Sequence, residues 1–416
     1  MIACGLDFGT SNSAIGVARG NELALAPLED GKTLMPSAVF FDYESKGRIL
    51  FGSEAIAAYV GQIEGRLMRA LKTILGSPLI GETTVVGGRK LPLSDVVGIF
   101  VRHLKSRAEA FAGTEIAAVV HGRPVRFVDG DDAADARAES VLHDVARQAG
   151  FHDILFVYEP IAAAYDYERT VDAEELVLVA DIGGGTSDFS LIRIGPDRHR
   201  RIDRTADILA TAGIRVGGTD FDTDLSLDTV MPLLGLGTRL VDKDLPMPRA
   251  LFHELATWAT INFTYTYKNE RELAELAADA REPEKVERLL TVVRRRLGHR
   301  LAFATEDAKI ALSEAEDAVV DLGFLEGRLA APATRTAFER VLRSKIERLH
   351  ATARDCIVVA GLKGDAIDTI FFTGGSSRVP AVRQAIARAA PSARAASGSD
   401  LMSVAMGLTH IAGLSG

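Results

Sequence analysis

The sequence predicts an α/β protein built from two related lobes, and three observations support this fold class. The length of 416 residues exceeds the size at which a single hydrophobic core normally stops growing. A strand, a glycine turn and a second strand, with an aspartate before the turn, occur twice, around Asp7 and around Asp181. Elsewhere, short apolar strands alternate with helices, which favours parallel pairing. We therefore expect lobe I at residues 1–175 and lobe II at residues 176–416, each with an inserted subdomain.

Composition and charge exclude several classes of protein. Hydrophobic residues are 47% and charged residues 25%, which is typical of a globular protein. No apolar run is long enough for a membrane span and no secretory signal opens the chain, so we expect a cytoplasmic protein without a membrane partner. The net charge of −9 argues against nucleic-acid binding. Cys4 and Cys356 suggest neither a disulfide framework nor a metal cluster, and we expect both to be buried.

The stretch from Leu176 to Ile194 predicts a β-hairpin bent around a phosphate. Its β-branched and aliphatic flanks predict two strands. Three glycines at the turn are expected to adopt positive φ and to bring backbone N–H groups against an anion. Asp181 and Asp188 would repel a phosphate unless a divalent cation lay between them, which indicates Mg²⁺ held partly through water. A glycine-rich hairpin with solvated acids is the alternative. The three glycines are Gly183, Gly184 and Gly185.

Residues 2–20 repeat this pattern near the start of the chain. Asp7-Phe-Gly-Thr-Ser-Asn aligns with Asp181-Ile-Gly-Gly-Gly-Thr-Ser-Asp after a two-glycine insertion. Such a repeat indicates two related halves, each with a phosphate-binding hairpin. We expect one nucleotide to be held by both.

The remainder of lobe I predicts an insertion followed by alternating helices and strands. Residues 36–94 form the predicted insertion, and Glu159-Pro160 follows the last strand of the lobe, with Pro160 opening a helix. A carboxylate at the end of such a strand faces the crevice where open α/β sheets bind ligands. The alternative is an ordinary acid at a helix N-terminus. The predicted elements are helical periodicity at Ser53–Leu75, a hairpin at 85–89, helix Leu93–Phe111, strand Ile116–His121, helix Asp131–Gly150 and strand Ile154–Val157.

Lobe II predicts two further phosphate-facing turns. Gly217-Gly218-Thr219 leads into a helix that carries Asp220 and Asp222 in its first turn, and such a helix N-terminus can meet phosphate. A strand from Asp368 ends in Gly374-Gly375-Ser376, ahead of a helix opened by Pro380, which is a geometry of nucleotide-binding edges.

Helices account for the other predicted elements of lobe II. Residues 220–304 form a predicted helical insertion. The helix Thr305–Ala315 carries Glu306, Lys309 and Ser313 on one face, for which surface exposure is the alternative interpretation. A last helix is predicted at 401–414.

Five elements, in this order along the chain, resemble the actin-like ATPase superfamily, whose two lobes are duplicated and ribonuclease-H-like. They are the hairpin at Asp7, Glu159-Pro160, the hairpin at Asp181, the helix Thr305–Ala315 and the turn at Gly374. The closest resemblance is to the nucleotide-binding domain of the DnaK-type, heat-shock-protein-70 chaperones, and it covers nearly the whole chain. The strings that carry it are Asp181 to Asp188, similar to D-L-G-G-G-T-F-D, and Tyr-Glu159-Pro-Ile-Ala-Ala-Ala, similar to N-E-P-T-A-A-A. Two more are Glu306 to Ser313, similar to E-x-x-K-R-x-L-S, and Gly374 to Pro380, similar to G-G-S-T-R-I-P.

The resemblance implies ATP or ADP with Mg²⁺ as ligands, and it assigns roles to residues. Lys72, four residues before Gly76, matches the catalytic lysine of the family. Glu159, Asp181 and Asp188 complete the implied catalytic set. Asp7 and Asp181 are the implied Mg²⁺ carboxylates, acting through water. The implied nucleotide contacts are Gly9, Thr10, Ser11, Asn12, Gly183, Gly184, Gly185, Thr186, Gly217, Gly218, Glu306, Lys309, Ser313, Gly374, Gly375, Ser376 and Arg378.

Two departures from the family pattern concern the nucleotide. Ile310 stands where the family has an arginine packed on adenine, and Thr219 where it has a glutamate. We therefore expect weaker or differently arranged binding of the base. We also expect no substrate-binding domain, linker or helical lid, as in the shortened YegD-like branch, so that chaperone activity does not follow from the ATPase half alone.

The sequence thus predicts an ATP-binding, slowly ATP-hydrolysing, chaperone-like monomer whose lobes close on nucleotide. Lys72 and Asp188 would position the attacking water, and a protein client or a nucleotide-exchange partner would respond to closure. A small-molecule kinase of the same superfamily, with Asp220 or Asp222 as base, is one alternative. A filament-forming or regulatory actin relative is the other.

Overall fold

The computed structural model describes residues 2–20, 22–45, 47–75, 78–86, 88–125, 127, 131–198, 201, 203–242, 244–398 and 402–415. Gly76, matched above to the family's glycine, and Leu401, the first residue of the predicted last helix, lie outside the described residues.

The strands and helices follow one another in alternation along much of the chain. The strands are β1 (Ala3–Phe8), β2 (Asn12–Arg19), β3 (Glu22–Leu25), β4 (Met35–Pro36), β5 (Ala38–Asp42), β6 (Ile49–Phe51), β7 (Gly65–Arg69), β8 (Thr83–Val86), β9 (Arg89–Pro92), β10 (Ala118–Arg123), β11 (Asp153–Tyr158), β12 (Glu175–Ile182), β13 (Ser187–Ile194), β14 (Ile208–Ile214), β15 (Asp317–Asp321), β16 (Ala330–Thr334), β17 (Thr369–Thr373) and β18 (Arg394–Ser397). The helices are α1 (Gly52–Val60), α2 (Lys72–Leu75), α3 (Leu93–Ala112), α4 (Asp132–Gln148), α5 (Glu159–Glu168), α6 (Gly218–Leu225), α7 (Ala250–Ala256), α8 (Tyr267–Asp279), α9 (Pro283–Arg294), α10 (Gly298–Glu314), α11 (Arg335–Val359), α12 (Pro380–Ala387) and α13 (Ser403–Ser415).

The contacts within the chain divide it into two compact units. Unit 1 comprises Met1–Ile214, Ala351–Ser377 and Ile386–Gly416, and unit 2 comprises Arg215–His350 and Arg378–Ala385. The predicted boundary between residues 175 and 176 lies inside unit 1, and the division into lobes there stays a prediction.

Unit 1 contains two large sheets with the same internal order. The first runs β3-β2-β1-β10-β11, and the second runs β14-β13-β12-β17-β18. In each sheet the first three strands are antiparallel neighbours and the last two pairings are parallel. The α/β prediction and the parallel pairing are confirmed, and the shared order fits the duplication read from the repeated aspartate-glycine hairpins.

The first sheet is covered on both faces by apolar side chains. Cys4, Leu6 and Phe8 of β1 belong to one buried cluster with Phe100 of α3 and Leu142 of α4. The opposite face packs against α5 and α13. Burying such side chains contributes about 1.5–3 kcal/mol each, which is why alternate residues of β1 are apolar. Cys356 is also buried, as expected for both cysteines.

Helix α13 approaches the first sheet so closely that glycine is required at the contact. A Cβ added to Gly5 would lie 2.2 Å from the backbone nitrogen of Thr409, and one added to Gly407 would lie 1.9 Å from the carbonyl oxygen of Ala162. Interiors packed at crystal-like density leave no room for such an atom. The three segments therefore form one tightly packed layer.

The helix predicted over Ser53–Leu75 is wrong in its middle, at residues 61–71. Helix α1 ends at Val60, β7 follows, and only α2 resumes a helix. The strand forms because β7 pairs antiparallel with β5, and Gly65 permits that pairing, since its added Cβ would lie 2.3 Å from Phe41 O. Long-range pairing here overrides the local helical periodicity. The hairpin β8–β9 lies where it was predicted.

A buried ionic cluster connects the segment between β13 and β14 to the end of α5. The guanidinium of Arg204 donates two hydrogen bonds to Glu168, at 2.7 and 2.8 Å, and a third to Asp207. The relative exposures of these three side chains are only 6%, 2% and 2%. Arg198 also pairs with Asp207, so the two arginines together balance the two carboxylates, and Arg204 is the cation that pairs with Glu168.

Unit 2 is mainly helical, and the predicted insertion at residues 220–304 stays a prediction. It contains α6 to α10 and the two-stranded sheet β15–β16, and α9 buries Val286, Leu289 and Val293. Among the described residues, no helix is both long enough and apolar enough to cross a membrane.

Candidate functional site

The two repeated aspartates lie at corresponding places in the two sheets of unit 1. Asp7 is on β1 and Asp181 on β12, one residue before the end of each strand. Asp181 is directly opposite Asp188 in the register of β12 with β13. Like charges in directly opposed positions destabilise a sheet, so this pair requires a compensating group.

Lys72 and Glu159 form a direct ion pair beside these carboxylates. The ammonium of Lys72 donates a hydrogen bond to Glu159 Oε1 at 2.6 Å, and the two side chains are only 13% and 11% exposed. Glu159 begins α5 immediately after β11, and Lys72 begins the short helix α2. The sequence predicted both residues for the site, and the structure brings them together.

The carboxylates around this pair hold their protons more strongly than usual. Burial, reinforced by the negative charge of Glu159, raises the pKa of Asp7 to about 8. Burial and Glu159 likewise raise the pKa of Asp181 to about 6, and burial with Asp181 raises that of Asp188 to about 7. Burial alone would lower the pKa of Lys72, but Glu159 and Asp7 raise it above its ordinary value. The cluster thus contains more buried negative charge than one lysine neutralises.

This excess charge makes the stability of the metal-free protein pH-dependent. The pKa of Asp188 is raised from 3.8 to about 7, so the folded state holds a proton that the unfolded state loses as pH rises between these values. That contribution to stability is present at low pH and is lost as pH rises towards 7. Asp188→Asn removes it. We expect the variant's free energy of unfolding, relative to wild type, to increase by about 4 kcal/mol between pH 4 and pH 8.

Chemical denaturation in chelator at several pH values measures this difference. His121, whose pKa burial lowers to about 4, acts in the opposite direction, but it is common to both proteins and cancels. A difference between the two proteins that stays constant with pH would contradict the prediction.

Gly184 of the second hairpin is required by space, and the prediction that the three glycines adopt positive φ is wrong. None of Gly183, Gly184 and Gly185 has a positive φ. Instead, a Cβ on Gly184 would lie 2.2 Å from Ser11 Oγ. The turn closes because the Gly183 N–H donates to Thr186 O at 2.9 Å. The Thr186 hydroxyl then donates to Asp188 Oδ2 at 3.2 Å.

Gly184→Ala is therefore expected to lower the free energy of unfolding by about 1–3 kcal/mol, because its methyl group would overlap the Ser11 hydroxyl. Adding Ser11→Ala should restore most of the lost free energy of unfolding, since the next nearest atom to the added methyl group, Ser11 Cβ, is 3.6 Å away. Gly185→Ala is the matched control, with nothing within 4 Å of its added Cβ. Thermal denaturation distinguishes the variants, and equal losses at both glycines would contradict this packing.

The first hairpin has the same compactness. A Cβ on Gly9 would lie 2.2 Å from Asn12 O, so glycine is required there as well. Thr10 and Ser11 occupy the turn between β1 and β2, and Asn12 begins β2. Ser37, which the sequence did not single out, donates to Gly9 O at 2.7 Å and shares a hydrogen bond with Ser13. No sequence motif marks Ser37, because its role depends on the pairing of β2 with β4.

A third turn, at the end of β17, packs against the second hairpin. Gly374 has a φ of +79°, and a Cβ there would lie 2.5 Å from Asp181 Oδ1. The Ser376 hydroxyl donates to Gly183 O at 3.0 Å. Gly375 begins the 3-10 turn Gly375–Arg378. The structure thus brings Gly374 and Ser376 to the second hairpin, as the sequence predicted.

Other predicted contacts belong to unit 2. Gly217 caps α6, and its N–H donates to Asp220 Oδ2 at 2.9 Å. The ammonium of Lys309 lies 2.8 and 2.9 Å from the two carboxylate oxygens of Asp222, and 3.4 Å from Gly218 O. These bonds hold Asp220 and Asp222 and leave neither positioned as a free base.

The remaining predicted residues of unit 2 lie on α10 and after β17. Ser313 donates to Lys309 O at 3.3 Å, and Glu306 is partly buried on the same helix. Ile310 is 54% exposed beside the buried Lys309. Arg378 also belongs to unit 2.

The donor set in unit 1 fits a hydrated divalent cation. Asp7, Asp181 and Asp188 supply hard oxygen ligands, which Mg²⁺ prefers, and their pKa values are raised by burial first and by neighbouring carboxylates second, so a bound cation would favour their charged forms. Within the described ranges, no three His, Cys, Asp or Glu side chains form a direct metal cluster.

A comparison with protein families agrees with this geometry. The family described as "Hsp70 protein" matches residues 80–231 and 277–414, which is most of the chain and includes parts of both halves. The match confirms the actin-like ATPase fold, whereas the YegD-like branch stays a prediction. Members of this family bind ATP and act as chaperones. The chain therefore belongs to the Hsp70 family.

Proposed function

We propose that this chain binds ATP with Mg²⁺ and hydrolyses it slowly. The observation that carries the proposal is the Lys72–Glu159 ion pair, 2.6 Å long, set among the three carboxylates of Asp7, Asp181 and Asp188. A buried lysine beside paired glycine turns is suited to a phosphate chain, since phosphoryl transfer depends mainly on positioning and charge stabilisation.

Backbone N–H groups would hold the phosphates. The turns at Gly9–Asn12 and Gly183–Thr186 contain glycines, and residues without a side chain let a phosphate approach the backbone closely. Gly374, Gly375 and Ser376 support the second turn from behind. Thr10 and Ser11 add hydroxyl donors at the first turn.

Asp7 and Asp181 would hold Mg²⁺ through water. When bound, Mg²⁺ supplies positive charge that neutralises the phosphate oxygens. Asp188 and Lys72 would orient the attacking water, with Asp188 able to accept its proton, and Glu159 would fix the Lys72 ammonium. The ordinary alternative, an acid that only begins a helix, does not account for the bond between Glu159 and Lys72.

In unit 2, we propose that Gly217, Gly218, Glu306, Lys309, Ser313 and Arg378 bind the nucleoside and the adjoining phosphate. Asp222 fixes Lys309, and Ile310 offers an exposed aliphatic surface to the base. Because an aliphatic side chain has no cation–π attraction for a ring, we expect modest affinity for adenine.

Closure of the lobes on nucleotide is the proposed output, with a protein client or exchange partner responding to it. We further propose a cytoplasmic monomer. These features follow from the family resemblance rather than from any contact described above.

The test is ATP binding by calorimetry and phosphate release by the purified chain, with Mg²⁺ or with chelator. We expect binding in both conditions, tighter with Mg²⁺, and turnover only with Mg²⁺. Asp7→Asn should weaken the effect of Mg²⁺ on binding, whereas Asp95→Asn on α3 is a matched control. A protein that binds no ATP in either condition would refute the proposal.

A further inference from the structure

A cavity of ≈ 450 Å³ in unit 1 lies against the proposed reacting carboxylates. Glu159, Asp181 and Asp188 form part of its lining. Pockets for small molecules typically measure about 300–1,000 Å³, whereas one water occupies about 30 Å³. The cavity is therefore much larger than an attacking water requires.

Strand register explains the open space beside Asp188. Asp188 is directly opposite Gly213 across β13 and β14, and Ser190 is opposite Thr211. Since side chains two residues apart point to the same face, these four residues share one side of the sheet. Gly213 has no side chain, so the position facing Asp188 stays empty. Both hydroxyl-bearing residues lie next to it, and all four line the cavity.

The chemistry of the lining indicates what it would bind. Thr352 and Asp355, three residues apart on α11, add a hydroxyl and a carboxylate, and Pro124, Val125 and Pro160 add apolar surface. Among the described residues that line the cavity there is no Lys, Arg or His. Hydroxyl and carboxylate oxygens accept hydrogen bonds from alcohols, and apolar walls suit C–H surfaces. Of the four carboxylates, Glu159 is paired with Lys72 and Asp355 with Arg354, which leaves Asp181 and Asp188 to disfavour an anion.

We propose that this cavity binds a small, uncharged polyhydroxylated molecule, up to the size of a monosaccharide, one hydroxyl of which receives the γ-phosphoryl group of ATP. The inference rests on the proposed ATP site. The bond between the γ-phosphorus and the β,γ-bridging oxygen breaks, and a bond forms between that phosphorus and the hydroxyl oxygen. The hydroxyl proton passes to Asp188, and the products are a phosphate monoester and ADP. Asp355, Ser190 and Thr211 bind the other hydroxyls.

The experiment follows label from [γ-³²P]ATP with Mg²⁺ and glycerol, erythritol, xylose, glucose or myo-inositol. Inorganic phosphate and phosphate ester are separated and counted. We expect at least one polyol to receive label. Release of phosphate with no ester from any polyol would overturn this inference and leave the proposed ATPase intact, whereas no ATP binding and no release would refute the proposed function itself.

Two variants test whether the ester arises in this cavity. Thr211→Met should reduce the ratio of phosphate ester to inorganic phosphate at least tenfold, because its longer side chain occupies the cavity. Thr83→Met, on an exposed strand position of β8, is the matched control. Asp355→Asn, at a largely exposed side chain, should raise the KM for the polyol with little change in kcat. Unchanged ester formation in both cavity variants would overturn the assignment.

Discussion

Lys72→Ala is expected to lower kcat for ATP hydrolysis by about 100- to 1,000-fold while the Kd for ATP changes by less than about threefold. The Lys72 ammonium lies within 2.6 Å of Glu159 and, in the proposed mechanism, stabilises charge that develops in the transition state. Its loss should therefore reduce the rate more than binding. Single-turnover kinetics and calorimetry measure the two quantities separately.

Two further variants make the Lys72 result interpretable. Removing Lys72 leaves Glu159 without its cation, so the double variant Lys72→Met, Glu159→Gln, in which neither buried charge remains, should fold better and stay equally inactive. Lys90→Ala, at an exposed position on β9, is the control for loss of a lysine. Hydrolysis of ATP at the wild-type rate by Lys72→Ala would contradict the catalytic role proposed for Lys72.

Arg204→Ala is expected to lower the free energy of unfolding by about 3–5 kcal/mol, which is the usual loss when one partner of a buried ion pair is removed. Glu168 would remain 2% exposed without the cation that pairs with it, while Asp207 would keep only its ion pair with Arg198. Denaturant titration with a common m-value measures the loss.

Arg239→Ala provides the matched comparison. Arg239 pairs with Asp244 at 2.8 Å, but these side chains are 47% and 57% exposed, so the expected loss is below about 1 kcal/mol. Equal losses of unfolding free energy in the two variants would show that burial does not determine how much Arg204 stabilises the protein. Loss of ATP turnover in Arg204→Ala should follow only from unfolding.

The sequence predicted those elements whose strand, turn and helix-start residues are adjacent in the chain. Asp181, its glycines and Asp188 identified a hairpin because apolar strands and turn residues are adjacent in sequence. Glu159-Pro160 identified a strand end and a helix start for the same reason. The repeated string also indicated two related halves, and the two large sheets of unit 1 share one strand order.

Features that depend on contacts between distant parts of the chain could not be predicted from the sequence. Gly184 was expected to supply positive φ, but its lack of a side chain makes room for Ser11, which lies far away in the chain. The helical period of Ser53–Leu75 concealed β7, which pairs with β5. Asp222 was considered a base, although Lys309 holds it. Each depends on tertiary neighbours that no local spacing records.

The close packing of α13 against the first sheet has a consequence for how the protein folds. Gly5 and Thr409 come from opposite ends of the described chain, yet they touch. During synthesis, β1, β2 and β10 are made before α13. The apolar face of the sheet that α13 covers therefore stays exposed until α13 has been synthesised. Contacts of such long sequence separation slow folding, and exposed apolar strands favour aggregation in the interval. We therefore expect a nascent chain that lacks α13 to require holding by other proteins before it can fold.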